Sequence, residues 1–176
     1  MIFSKRSLSK TRLVVLDFDG VMTDGGIYLN ENGEDFRRFD VKDGLGIKLL
    51  QKHLIQIAII SGSNSKTILS RAEALGIKLI RVGISDKLSE LKSIQKELNI
   101  TPLETLFLGD DINDLIVLET VNSFIVPANA HKACKEKASL VSNSIGGSGF
   151  IREIVDQILL SKGIDPYVPF KTKNDF

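Results

Sequence analysis

The chain has 176 residues, 43% hydrophobic and 26% charged, with a net charge of +1. These values suit one globular domain with a single core, and they supply no field to attract nucleic acid or an acidic membrane surface. The single cysteine, Cys134, excludes an internal disulfide and a Cys-rich metal site, and no apolar run approaches the ~20 residues of a membrane span.

Residues 1–10 are polar and basic and read as a loose start. Asp17 and nearby charges interrupt any signal-peptide core, so a cytoplasmic location is expected. A first strand follows at 12–17. Residues 25–39 then depart from the α/β rhythm: Ile27-Tyr28-Leu29, Asn30-Glu31-Asn32-Gly33 and Glu34 to Phe39 read as a β-hairpin, with Asn-Gly supplying the positive φ angles of its turn. A helix over 43–53 carries Leu45, Leu49 and Leu50 on one stripe. A strand over 55–60 ends in Ser61-Gly62-Ser63-Asn64, and the helix over 65–75 closes at Leu75-Gly76. A short strand at 78–82 precedes a helix that starts at Ser85-Asp86-Lys87 and runs to Leu98. The strand over 105–108 ends in Gly109-Asp110-Asp111-Ile112-Asn113-Asp114 and leads into a helix to Val121. Strand 123–126, short helix 131–138, strand 140–141 and a last helix over 150–161 complete the pattern. The tail over 163–176 reads as extended. Strands alternating with helices predict an α/β fold, a doubly wound, Rossmann-like parallel sheet, with the hairpin inserted after the first strand and no cap domain. One domain over 1–176 is expected.

The chemistry lies where polar residues end apolar strands. Asp17 and Asp19, two apart, point to the same side of a strand. Two carboxylates there repel each other and lose hydration, and a hard oxygen-liganded cation, Mg²⁺, is the simplest remedy. A lone DxD reads equally well as a capping or turn pair. Ser61, Lys87, and Asp110, Asp111 and Asp114 each have an ordinary reading too, as helix cap, surface lysine and first-turn acids. Their joint occurrence at the carboxyl edge of one sheet, where ligands bind in such folds, suits a phosphoryl group instead. A cation and a lysine balance its charge, and a hydroxyl and backbone amides bind its oxygens.

Asp17–Asp24, Ser61, Lys87 and Gly109–Asp114 resemble the four motifs of the haloacid dehalogenase superfamily. The stretches Phe39-Asp40-Val41-Lys42-Asp43-Gly44, Asp86-Lys87-Leu88 and Gly146 to Glu153 are similar to its capless branch, and within it to phosphatases of 3-deoxy-D-manno-octulosonate 8-phosphate. The resemblance spans residues 12–161. It implies an Mg²⁺-dependent phosphoric monoester hydrolase acting on a 2-keto-3-deoxy sugar acid phosphate in lipopolysaccharide precursor synthesis. It also implies that Asp17 is the nucleophile and Asp19 the acid/base, and that Ser61 and Lys87 hold the phosphoryl group. Mg²⁺ would sit on Asp17, the Asp19 carbonyl and Asp110, supported by Asp111 and Asp114. Asp40, Val41, Lys42, Asp43, Gly44, Lys48, Ser63 and Arg71 match substrate-contacting positions, as do Asp19 and Lys87. Ser63 stands where an arginine is usual, Lys42 replaces a frequent arginine, and Ser148 replaces a larger or charged residue. These departures bear on the choice between eight- and nine-carbon sugar acids, not on the phosphoryl chemistry. A receiver domain places its acids at the ends of different strands, whereas DxD joins two on one. A non-catalytic subunit would not need Asp17, Asp19, Lys87 and Asp110 together. Capless members form tetramers with packed hairpins, so the apolar Ile27, Leu29, Phe36 and Phe39 lead to the expectation of a homotetramer.

Overall fold

The structure is a computed structural model that describes residues 8–168. Residues 1–7 and 169–176, with most of the expected loose start and more than half of the expected extended tail, lie outside the described residues. Leu8 departs from the expected loose start. It is buried in the core, and the Lys162 ammonium donates to the Ser9 carbonyl at 2.7 Å, so these two contacts anchor the first described residues. Ile164 likewise packs against the core, and a turn follows in which Asp165 accepts from the Tyr167 amide.

The strands are β1 (Leu13–Leu16), β2 (Tyr28–Leu29), β3 (Asp35–Phe36), β4 (Gln56–Ile60), β5 (Leu79–Arg81), β6 (Thr105–Leu108), β7 (Ser123–Val126) and β8 (Leu140–Val141). The helices, numbered in the same way, are α1 (Val41–Lys52), α2 (Lys66–Ala74), α3 (Lys87–Leu98), α4 (Lys132–Lys137) and α5 (Phe150–Ser161). Six strands form one parallel sheet in the order β5-β4-β1-β6-β7-β8. β1 is central because its four apolar residues are all buried, as a strand covered on both faces requires. Its alternation divides the core. Val14 and Leu16 join the side built by α1, α2 and α5, while Leu13 and Val15 face Leu91, Ile94, Phe107, Phe124 and Cys134 on the other. Cys134 is thus a small core residue.

The chain works outward from β1 to β4 and β5, then crosses back to β6 on the other side of β1. That reversal is the topological switch point of a doubly wound sheet, where the loops at the carboxyl ends diverge and leave a crevice. Leu16 is in register with both Ile59 and Leu108, so Asp17, Ser61 and Gly109–Asp110 emerge at nearly one level.

Two elements differ from the sequence reading. The segment Ile112–Thr120 is wound as a 3-10 helix, set from its first turn by the Asp114 amide donating three residues back to the Asp111 carbonyl. At the Asn30–Glu34 turn of the hairpin Gly33 takes a positive φ, +76°, and Asn32 does not. The Asn30 side-chain oxygen organises the turn by accepting from the Asn32 and Glu34 amides. Ile27, Tyr28, Leu29 and Phe36 are exposed, but Phe39 is not a free hairpin residue. Its ring packs edge-on against buried Phe18, with centroids 5.7 Å apart.

Candidate active site

The loop after β1 begins with the Asp17 amide donating to the Leu108 carbonyl at 2.9 Å, which ties the first carboxylate to the β1–β6 junction. The Thr23 hydroxyl, fully buried, then accepts from the amides of Gly20 and Gly25 and curls the loop. Gly20 has φ +83°, and a Cβ there would lie 2.0 Å from the Asp110 carboxylate. This glycine is what lets the two acidic loops approach each other. From behind, the amide of Gly147 donates to the Val21 carbonyl. A Cβ on Gly146 would meet the Gly20 carbonyl oxygen at 1.8 Å, so the late glycine run buttresses the β1 loop.

A cleft of about 280 Å³ opens over these loops, lined by Asp17, Asp19, Gly20, Gly25, Ser61, Gly62, Ser63, Asp110, Asp111 and Asn113. A cleft of about 260 Å³ at the amino ends of β4 and β5 has Lys78 as its only charged residue and no chemistry to match. Behind the Asp17 wall of the first cleft, the buried Lys87 ammonium lies 2.8 Å from Asp17 and 2.6 Å from Asp114, neither Lys87 nor Asp114 itself lining the cleft. Asp114 is completely buried and accepts through both oxygens, from Lys87 on one side and from the Asp110 and Asp111 amides on the other. Asp111 caps the 3-10 turn by accepting from the Ile112 amide. The Ser61 hydroxyl accepts from the Ser63 amide at 3.1 Å, and Ser63 accepts from the Ser65 amide.

Oxygens of Asp17, Asp110 and Asp114 all lie within 4.8 Å of one another. With the protein's own charges, burial foremost and then Asp114 push Asp17 up to about 6, against the lowering pull of Lys87. Burial, Asp17 and Asp114 push Asp110 up to about 8. Burial alone would lower Lys87, but its two carboxylate neighbours outweigh that and raise it. Such a donor set fits a hard divalent cation, which would reverse both carboxylate shifts. Because Asp114 already accepts from three N–H groups, Asp17 and Asp110 are the carboxylates left to hold it.

Not every residue expected at the site is in this cleft. Asp43 is buried because it caps α5, accepting from the amides of Gly149 and Arg152 at 3.2 and 2.8 Å. Asp40 caps α1. Gly44 leaves room for Arg71, whose Nη2 would lie 2.7 Å from a Cβ there. Arg71 itself stacks over the Phe39 ring at 5.0 Å, with its Nη2 3.4 Å from the Asp40 carbonyl. Val41 and Lys42 are exposed and Lys48 is half-buried. None of these seven lines the cleft of its own chain. One residue that the sequence did not single out does reach it: Arg37, from the hairpin, donates to Asp19 at 2.8 Å.

An acidic loop at the switch point of a parallel sheet, with a buried lysine from α3 and two further acids after β6, is the arrangement of a haloacid dehalogenase-like hydrolase. A model of that family matches residues 57–154, and the chain belongs to it. At finer grain, the chain is 38% identical over 152 residues to the 3-deoxy-D-manno-octulosonate 8-phosphate phosphatases of Salmonella typhi and Escherichia coli K12, covering 86% of this chain and 81% of each relative. It superposes on the Yersinia pestis phosphatase of the same name with a TM-score of 0.90 at 36% identity, over 92% of this chain and 88% of that one. It also superposes on the Moraxella catarrhalis enzyme with a TM-score of 0.87 at 31% identity, over 90% of this chain and 91% of that one. The Moraxella structure holds magnesium, phosphate and KDO.

Proposed function

We propose that this chain is an Mg²⁺-dependent phosphatase of a 2-keto-3-deoxy sugar acid phosphate, 3-deoxy-D-manno-octulosonate 8-phosphate being the substrate its relatives' names favour. The observation that carries the chemistry is the pairing of buried Asp17 with Lys87 at 2.8 Å, beside Asp19 and across from Asp110 in one cleft. Asp17 attacks phosphorus, forming an aspartyl-phosphate while the bond to the sugar oxygen breaks. Asp19 gives that oxygen its proton, then takes one from the water that hydrolyses the intermediate, so the proton count closes. Lys87 and the Ser61 hydroxyl, with the amides around Gly62, bind the phosphoryl oxygens. Asp17, Asp110 and the Asp19 carbonyl would hold Mg²⁺, which supplies charge neutralisation as the phosphoryl group transfers. Asp114 fixes Lys87 and the Asp110 backbone, and Asp111 shapes the turn.

The chain acts as one domain in the cytoplasm, on a small phosphorylated sugar acid. It assembles as a homotetramer through Ile27, Tyr28, Leu29, Phe36 and neighbouring Val41, an apolar group exposed in a single chain. Asp40–Gly44, Lys48 and Arg71, away from their own cleft, then serve the sugar in a neighbour's. Phosphate release across eight- and nine-carbon keto-sugar acid phosphates, with and without Mg²⁺, tests the reading. The octulosonate phosphate should give the highest kcat/KM. Preference for a nine-carbon phosphate would transfer the assignment to that sugar, and turnover unaffected by chelator would refute the metal.

A further inference from the structure

The hairpin is mostly exposed, yet its Arg37 side chain is only 3% exposed. Its Nε donates to Asp19 Oδ1 at 2.8 Å. Its Nη1 pairs with the Asp35 carboxylate and lies 3.4 Å from the Ser65 hydroxyl. That hydroxyl donates to the other Asp35 oxygen at 3.1 Å, and the Thr67 hydroxyl donates to the Asp35 carbonyl at 3.3 Å. A guanidinium presents its donors in a rigid plane, so these contacts fix its position from one side. What it holds on the other side is Asp19. The clasp therefore joins three segments remote in sequence: the loop after β1, the hairpin and the start of α2.

Asp19 otherwise has a half-buried side chain on a loop, free to rotate about its two torsions. A group that protonates a departing oxygen must stand within hydrogen-bond reach of it. Arg37 anchors one carboxyl oxygen and leaves the second for the proton. We propose that Arg37 is a positioning residue for Asp19, setting the orientation in which that carboxyl protonates the leaving oxygen. The inference rests on the acid/base assignment of Asp19. It makes the hairpin part of the reaction centre of its own chain.

Leaving-group dependence tests it, because an alkoxide must be protonated as it departs whereas p-nitrophenolate need not be. The quantity to measure is kcat/KM, which ends at formation of the phospho-enzyme and excludes its later hydrolysis. With Mg²⁺ saturating, Arg37→Ala should lose about ten- to a hundredfold on a sugar phosphate, within the range of ~10²–10⁴ that acid–base catalysis supplies. The loss on p-nitrophenyl phosphate should be at least tenfold smaller. Arg37→Lys should recover part of the difference. Asp35→Asn, which loosens the clasp without touching Asp19, should show the same ordering more weakly and serves if Arg37→Ala does not fold. Equal losses on both esters would overturn the inference, as would a loss confined to phosphates that carry a carboxylate, which would make Arg37 a substrate anchor. Asp19→Asn is measured alongside. If it shows no leaving-group dependence, the acid/base assignment falls; if it does and the Arg37 variants do not, only the positioning role falls.

Discussion

Asp17→Asn separates catalysis from stability in opposite directions. Asp17 is 7% exposed, and in the metal-free protein its carboxyl titrates near 6 rather than 3.8. A raised folded-state value means that the folded protein binds the proton more tightly. The group's favourable contribution is thus fully present below about 4 and lost as pH rises through about 6. Two units at ~1.36 kcal/mol each give ~3 kcal/mol against folding once the group is ionised. Asparagine is neutral at every pH and escapes that cost. The variant should therefore be more stable than the parent by under ~1 kcal/mol near pH 4, rising to ~3 kcal/mol by pH 8. For a domain of this size the latter corresponds to about 6–12 °C in Tm. Thermal unfolding followed by circular dichroism in chelator, at half-unit pH steps, measures the difference. Turnover of the same preparation should be abolished. A variant less stable than the parent at pH 8 would refute the claim that burial, with Asp114 beside it, makes the Asp17 charge costly to the fold, and near-parental turnover would refute Asp17 as the nucleophile.

Three further outcomes follow from the geometry. Because Asp110 titrates near 8 without a cation, protons compete with Mg²⁺ for it; the rise in Tm on adding Mg²⁺ should be larger at pH 8.5 than at pH 6, and a pH-independent increment would count against Asp110 as a ligand. Gly146→Ala sets a methyl 1.8 Å from the Gly20 carbonyl oxygen, so it should cost roughly 1–3 kcal/mol as an overpacking change and lower activity by displacing the β1 loop; unchanged stability in denaturant titration would show that the contact can relax. Tyr28→Glu with Leu29→Glu places charge on side chains that a lone chain exposes, so light scattering at micromolar protein should show a smaller species than the parent if the proposed tetramer forms through the hairpin, and an unchanged mass would place any interface elsewhere. Deleting the hairpin is the poorer experiment, since it also removes Arg37 from Asp19.

Much of the sheet could be read from local pattern, because each buried strand is a short apolar run that ends at a polar turn. Asp17, Ser61 and Asp110 were legible for the same reason: a carboxylate or hydroxyl within two residues of the end of such a run has to sit at the sheet's edge. Lys87 was legible as a helix-mouth residue, but its near-complete burial was not, because that depends on Asp114 from another strand's loop. Asp43 shows the limit more sharply. Nothing near it in sequence indicates a cap, since the amides it accepts from lie more than a hundred residues later. Arg37 was not singled out, because alternation along a strand cannot tell which face folds back on the chain's own site. The 3-10 winding after Asp111 was hidden too, since the apolar spacing of Leu115, Leu118 and Val121 serves an α-helix equally well.

The buttress of Gly146 and Gly147 behind Gly20 and Val21 has a consequence for how the enzyme comes into being. The two halves of this contact are separated by about 125 residues, so at ribosomal rates of ~5–20 residues per second the β1 loop waits roughly 6–25 s for its support. Lys87 and Asp114 are both made within that interval, so the acids of the cleft exist in the nascent chain before the glycine run that supports the β1 loop. A chain halted before residue 146 would carry Asp17, Asp19, Lys87, Asp110 and Asp114 but not the glycine pair that packs behind Gly20 and Val21.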